Sequence, residues 1–317
     1  MNEIELIKKY FIQENSQRSD VMLGIGDDAS ILRVPVDQDL VVTMDTLNAG
    51  IHFPENTTAF DIGYKAAMVN LSDLAAMGAQ PAWATLSISL PEINEAWLAE
   101  LSRGLFTALD KYDVELVGGD TNRGSLSVTL QLHGFVPKNK ALLRSGAQVG
   151  DSIYVSGELG TAALALQAVQ AKINLSNTEL AEILPALNRP EAQVALGLAL
   201  RDLASSCIDI SDGLSKDLKH VLDKSGVGAI VELAQLPINP ILTQHLPLLD
   251  CYCLAVSGGD DYQLCFTIPE SRITELKQKL RGVAITPIGK IMAGSELLFR
   301  NAACEMVELA ATGFQHF

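Results

Sequence analysis

Basic residues are scarce in this chain: 23 Lys and Arg stand against 38 Asp and Glu, a formal net charge of −15. Nucleic acids and anionic membranes are held by a basic face, so neither class of partner fits this balance. Long apolar runs are missing as well. The best, around Thr161 to Ala171, is interrupted by Gln167 and Gln170 and falls short of the roughly 20 residues that a bilayer span needs. The opening MNEIELIKKYF mixes charged with apolar side chains, unlike the layout of a secretion signal. Cysteines number five, at 207, 251, 253, 265 and 304, and Cys251-Tyr-Cys253 has the wrong gap for a zinc knuckle. Scattered, buried, reduced thiols in a cytoplasmic protein are expected.

The common catalytic signatures are absent too. There is no Walker A loop, since Gly289-Lys290-Ile291 fails at its last position, and no H-E-x-x-H, G-x-S-x-G or H-R-D segment. Gly24-Ile-Gly26-Asp-Asp-Ala29 fits the dinucleotide spacing G-x-G-x-x-A. The residues after it alternate like a strand and meet Pro35, however, so no helix N-terminus faces a pyrophosphate. Two carboxylates in that turn would also repel phosphate.

What the chain does have is nine aspartates in six short clusters: Asp27 and Asp28, Asp45, Asp73, Asp120, Asp209 and Asp212, Asp260 and Asp261. Most sit beside Gly, Ser or Thr, and most follow a stretch that reads as a buried strand. Carboxylates presented this way suit hard cations that take oxygen ligands, and magnesium with phosphate chemistry is the expectation. Each one alone also has a plainer reading. Asp27 or Asp28 serves equally as a turn cap, Asp212 as the N-cap of a helix starting at Leu214, and Asp73 as a solvated helix residue. Recurrence of Gly-Gly-Asp-Thr, Gly-Gly-Asp-Asp and Gly-Asp-Asp in one chain favours a shared site, because glycines let a ligand approach the backbone closely. Arg144 is either a surface cation or a planar fork for phosphate. His52 reads as a core histidine between Ile51 and Phe53, and Trp83 and Trp97 read as core.

A length of 317 residues with 48% hydrophobic and 19% charged residues predicts two packed domains. Periodicity places helices over 3–15, 59–77, 94–112, 161–171, 177–184, 191–204, 214–224 and 271–280. Strands are expected over 31–36, 40–44, 82–90, 115–117, 126–135, 152–155, 229–232 and 263–268. The fold is thus α+β, with domains at 1–146 and 147–317. Both halves place a helix directly after an aspartate-bearing turn.

In order, the segments GIGDDA, TMDTLNAGIHF, NLSDLAAMGA, VGGDT, LLRSGAQVGD, IDISDGLSKDL and SGGDDYQL resemble the thiamine-monophosphate kinase family. That family lies within the aminoimidazole-ribonucleotide-synthetase-like ATP-binding superfamily. The resemblance runs from about Ile4 to Phe317. It implies ATP-dependent phosphorylation of thiamine monophosphate to thiamine diphosphate, by direct transfer with several Mg²⁺ ions. It also implies an N-terminal domain with a mixed sheet that binds ATP and Mg²⁺ and dimerises into a barrel-like core, and a C-terminal α/β sandwich domain that completes the active site. By the same resemblance Asp27, Thr43, Met44 through its carbonyl, Asp45, Asp73, Asp120, Asp209 and Asp212 would hold metal. Gly119, Asp120, Arg144 and Ser211 would contact ATP, and His52, Asp260 and Phe314 the thiamine phosphate. No general base is implied. The chain departs from the family at Gly-Gly-Asp260-Asp261-Tyr-Gln263, where Gly-Gly-Glu-Asp-Tyr-Glu is usual. It departs again at Arg189-Pro-Glu-Ala-Gln193, where Arg-Pro-x-Pro-Arg is usual. A sister synthetase of the superfamily acting on another small molecule, or a non-catalytic Mg-nucleotide module, is the alternative.

Overall fold

The computed structural model describes residues 2–13, 18–279 and 283–309. They form two compact units, one of Met1–Leu74 with Ala79–Asn139, the other of Ala75–Gly78 with Lys140–Phe317. The elements of the first unit are α1 (Glu3–Tyr10), β1 (Val21–Leu23), β2 (Ile31–Leu32), β3 (Gln38–Asn48), α2 (Ala59–Ala76), β4 (Gln80–Leu90), α3 (Glu95–Asp110), β5 (Glu115–Arg123) and β6 (Ser127–Pro137). Its main sheet runs β3-β6-β4-β5. All pairs are antiparallel except β4–β5, which is parallel because α3 carries the chain back across the sheet.

Helix α2 is buried along nearly its whole length. It ends where Gly78 takes φ 62°, with Ala79 donating to the Leu74 carbonyl and Gly78 to that of Ala75. Two glycines bring α2 and α3 into backbone contact. A Cβ on Gly63 would lie 2.1 Å from the Leu101 carbonyl oxygen, and one on Gly104 would lie 2.0 Å from that of Phe60.

The second unit contains β7 (Ser152–Ser156), α4 (Thr161–Val169), α5 (Asn177–Asn188), α6 (Val194–Leu200), β8 (Ser206–Ile210), α7 (Leu214–Ser225), β9 (Gly228–Glu232), α8 (Pro240–His245), α9 (Leu248–Ser257), β10 (Gln263–Ile268), α10 (Ile273–Lys279), β11 (Ile285–Met292) and β12 (Leu297–Arg300). A mixed six-stranded sheet in the order β12-β9-β11-β7-β10-β8 packs its apolar face on α7 through Leu214, Leu218, Val221 and Leu222. A separate core joins α4, α5, α8 and α9.

Several sequence expectations change. Helix α1 ends at Tyr10 rather than 15, and β2 stops at Leu32 rather than 36. Strands β3 and β5 run on to Asn48 and Arg123, because neighbouring strands continue the ladder, so Asp45 and Asp120 lie inside edge strands and not at their ends. Helix α5 continues through Pro185 to Asn188, whereas the helix expected over 191–204 covers only Val194–Leu200. Trp83 is buried, but Trp97 is half-buried. Of the cysteines, 207, 251 and 265 are buried thiols, Cys253 is half-buried and Cys304 is exposed. Among the described residues no sheet closes into a barrel, and no helix is long and apolar enough to cross a membrane.

Candidate active site

The first unit holds a cavity of about 640 Å³, within the range of small-molecule sites. Ile4, Ile7 and Phe11 supply an apolar wall. Opposite lie the turn from Gly24 to Ser30 and the β5 segment from Gly118 to Thr121, bringing Asp27, Asp28, Gly119 and Asp120 to one space. The Asp27 carboxylate accepts from the Asp28 amide at 2.9 Å, and that of Asp120 from the Asn122 side-chain amide at 3.1 Å. Both are exposed. Gly119 has φ 155°, and a Cβ there would sit 1.9 Å from the Leu86 carbonyl oxygen. No other residue fits, and the backbone stays bare toward the cavity.

A second cluster lies between β3 and α2. Thr43 and Asp45 share one face of β3. The Thr43 hydroxyl donates to Asp73 Oδ2 at 2.5 Å. Burial, then the charge of Asp73, pushes the Asp45 carboxyl up to about 6. Met44 projects from the opposite, exposed face. Asn70, one helical turn before Asp73, is fully buried; it donates to the Ala66 carbonyl while its own Oδ1 lacks a partner.

Register shows how far these two clusters stand apart. Asp45 pairs with Leu130, Leu130 with Leu86, and Leu86 with Gly119. Three strand spacings amount to roughly 14 Å, too far for one ion to bridge. Accordingly, no group of three or more His, Cys, Asp or Glu side chains among the described residues gathers around a common metal position. The aspartates form local clusters rather than one tight centre.

In the second unit, Asp209 is buried near the end of β8, and Ser211 and Asp212 follow in the turn to α7. Asp212 is not an N-cap, the plainer of its two readings from sequence. Gly213 occupies that position, and Asp212 Oδ2 instead pairs with Lys216 Nζ at 2.6 Å. The capping work falls to Asp217. Its Oδ2 accepts from the amides of Ser211, Asp212 and Gly213 at 3.1, 3.0 and 3.1 Å. Burial still pushes its carboxyl up to about 7, against three donors that favour the charged form. Asp261 behaves alike: both its oxygens accept from the Gly160 amide that opens α4, and burial holds its carboxyl well above the usual range. Asp260 donates its amide to the Ser211 carbonyl, which ties the Gly258–Asp261 turn to the Asp209–Asp212 segment.

The basic loop sorts itself by partner. Lys138 pairs with Asp37 and Lys140 with Asp202, whereas Arg144 is exposed. His52 sits in the turn after β3. Its Nδ1 accepts from the Asn48 amide at 3.0 Å, so Nε2 is the ring's donor. The buried Lys65 reaches the His52 carbonyl at 3.4 Å. Phe314 lies outside the described residues. Sequence reasoning placed Asp261 in a cluster without its backbone role, and passed over Asp217 and Lys65. An acid in the first turn of a helix that starts at glycine was the available signal for Asp217.

Residues 26–136 match the family described as AIR synthase related protein, N-terminal domain, and residues 148–297 match its C-terminal domain. Thiamine-monophosphate kinase of Escherichia coli (strain K12) is 46% identical over 318 residues, covering 99% of this chain and 98% of the relative. The crystal structure of thiamine-monophosphate kinase from Stenotrophomonas maltophilia K279a superposes with a TM-score of 0.84 at 45% identity, covering 89% of this chain and 92% of that one. AaThiL, solved in complex with AMPPCP and TMP, aligns with a TM-score of 0.76 at 29% identity over 99% and 96% of the two chains. With these motifs in order on this two-unit fold, and identity of that level along the whole length, the chain belongs to the thiamine-monophosphate kinase family.

Proposed function

We propose that the chain transfers the terminal phosphoryl group of ATP to the phosphate of thiamine monophosphate, giving thiamine diphosphate and ADP. The observation that carries this reading is the full-length identity to a thiamine-monophosphate kinase. The cavity lined by Gly119 and Asp120 supplies a place for the nucleotide, with the apolar side of α1 facing a purine and the bare strand backbone facing phosphate. Arg144 and Ser211 complete the ATP contacts. His52, Asp260 and Phe314 are assigned to thiamine phosphate, His52 donating through Nε2.

Magnesium fits the residues present. The donors are all oxygens, and Asp45 and Asp73 form a half-buried carboxylate pair whose mutual repulsion a divalent cation relieves. Asp27, Thr43, the Met44 carbonyl, Asp45, Asp73, Asp120, Asp209 and Asp212 would hold the ions. Bound there, magnesium neutralises charge on the transferring phosphoryl oxygens. The protein's own work is positioning. Arg144 offers a planar fork to phosphate, and Gly119 keeps the cavity floor free of side chains. The attacking oxygen belongs to a phosphate monoester, which is already largely ionised at neutral pH. No general base is required, so a site without a catalytic histidine suffices.

The same reading extends to assembly and compartment. Leu40, Val42 and Met44 present an apolar row on the exposed face of β3, and we assign this face to a homodimer whose paired sheets make the barrel-like core. The buried reduced thiols accord with a cytoplasmic setting. Incubation with ATP, Mg²⁺ and thiamine monophosphate tests the activity. Thiamine diphosphate and ADP in equal amounts are expected. ATP–Mg²⁺ binding by calorimetry without transfer to any thiamine species would overturn it.

A further inference from the structure

The turn that carries Asp260 has two residues in left-handed backbone, and neither is glycine. Asp260 has φ 68° and Tyr262 has φ 47°. Aspartate visits this region readily, but a bulky aromatic does not, and such strain persists only where surrounding contacts hold it. The contacts are specific. The Tyr262 amide donates to the Ile210 carbonyl at 2.8 Å, which fastens the residue to the strand end that leads into Ser211 and Asp212. The Tyr262 ring is buried, and its hydroxyl donates to Asp260 Oδ1 at 2.9 Å. The strained tyrosine thus turns back within its own turn to grip the one carboxylate that is a methylene shorter than the family's usual glutamate.

Resting on the assignment of Asp260 to thiamine phosphate, we propose that Tyr262 is a positioning residue that sets the orientation of the Asp260 carboxylate and so the affinity for the organic part of that substrate. A short carboxylate has less reach than a glutamate, and its direction decides whether it meets the ligand. A hydroxyl bonded to one oxygen removes side-chain rotation that binding would otherwise have to freeze. The adjacent residues serve the same end by holding the turn. Asp261 anchors the turn on the Gly160 amide, and Gln263 accepts from the Ser156 hydroxyl while donating to the Asp261 carbonyl. A glutamate at 263 would lack that donated bond, so Gln263 belongs with Asp260 as a local variation of one turn.

The test is steady-state kinetics on Tyr262→Phe, Asp260→Asn, Asp260→Glu and the double variant Tyr262→Phe with Asp260→Glu, with melting temperatures alongside. Tyr262→Phe keeps the buried ring and removes one oxygen. Its KM for thiamine monophosphate should rise about five- to tenfold, the scale of one ordinary net hydrogen bond. The KM for ATP and kcat should stay within about twofold of wild type. In the Asp260→Glu background the same tyrosine change should have little effect, since the longer side chain has its own reach. Two results overturn the inference while leaving the assignment of Asp260 intact: Asp260→Asn raises KM and Tyr262→Phe does not, or Tyr262→Phe raises both KM values together with a fall in melting temperature. An equal rise from Tyr262→Phe in the wild-type and Asp260→Glu backgrounds likewise removes it. If Asp260→Asn leaves KM for thiamine monophosphate unchanged, the assignment of Asp260 fails first and the inference with it.

Discussion

The aspartates of the two units differ in what holds them. In the first unit Asp27 and Asp120 are exposed and each accepts one local hydrogen bond, while Asp45 and Asp73 oppose each other across β3 and α2. In the second, Asp217 and Asp261 are buried and spend their oxygens on backbone amides, three for Asp217 and one shared for Asp261. Neither belongs to the proposed ligand set. The acids therefore come in two kinds: those assigned to a ligand, and those whose bonds to backbone amides build the turns that carry Asp212 and Asp260.

That contrast breaks if the two kinds respond alike to mutation. Asp45→Asn should lower kcat by about a thousandfold or more, the scale expected when phosphoryl transfer loses electrostatic stabilisation, without lowering the melting temperature. Near-wild-type turnover at ordinary Mg²⁺ would place Asp45 with the structural group. Asp217→Ala should do the reverse, costing about 3 kcal/mol in denaturant unfolding because buried amides lose their acceptor; a stability within error of wild type would erase the distinction. Arg144→Ala should raise the KM for ATP about tenfold, in line with losing a charge-assisted phosphate contact, with no change in melting temperature.

The contrast also carries a pH dependence, measured in metal-free protein. Burial and the neighbouring Asp73 raise the folded-state Asp45 carboxyl to about 6, above its ordinary 3.8. Between those values the folded state binds more protons than the unfolded chain, so this group lowers stability as pH rises through the window. Asp45→Asn should remove that downward slope from a plot of unfolding free energy between about pH 4 and 6. An unchanged slope would mean that burial and Asp73 do not raise the Asp45 carboxyl in the folded protein.

The sequence is legible where a local cause dominates. Helix α2 is expected over 59–77 and spans Ala59–Ala76, because its apolar positions recur at helical spacing and Gly78 ends it. Strand β10 agrees at both ends. The misreadings come from non-local pairing. Strand β5 is expected only over 115–117, since Gly118 and Gly119 look like a turn until β4 is seen to continue the ladder beside them. Pro185 looks like a helix end, yet the helix continues to Asn188, with Ile183 and Leu187 buried on its core face. Strand β11 escapes notice because Pro287 and Gly289 mask a pattern that only β7 and β9 reveal. For the site, residue types and order are readable. Which acids face a ligand and which face their own backbone is not, since that depends on where amides point.

The glycine contact between α2 and α3 bears on the mechanical tolerance of the Asp45–Asp73 pair. Backbone touching backbone at Gly63 and Gly104 fixes the separation of the two helices by main-chain dimensions, which do not vary with rotamer or with drift at neighbouring positions. Asp73 rides on α2 ten residues beyond Gly63, about three turns along a rigid rod. The contact thus sets where the helix carrying Asp73 lies against α3, and an alanine at either glycine would displace that helix and the carboxylate it carries.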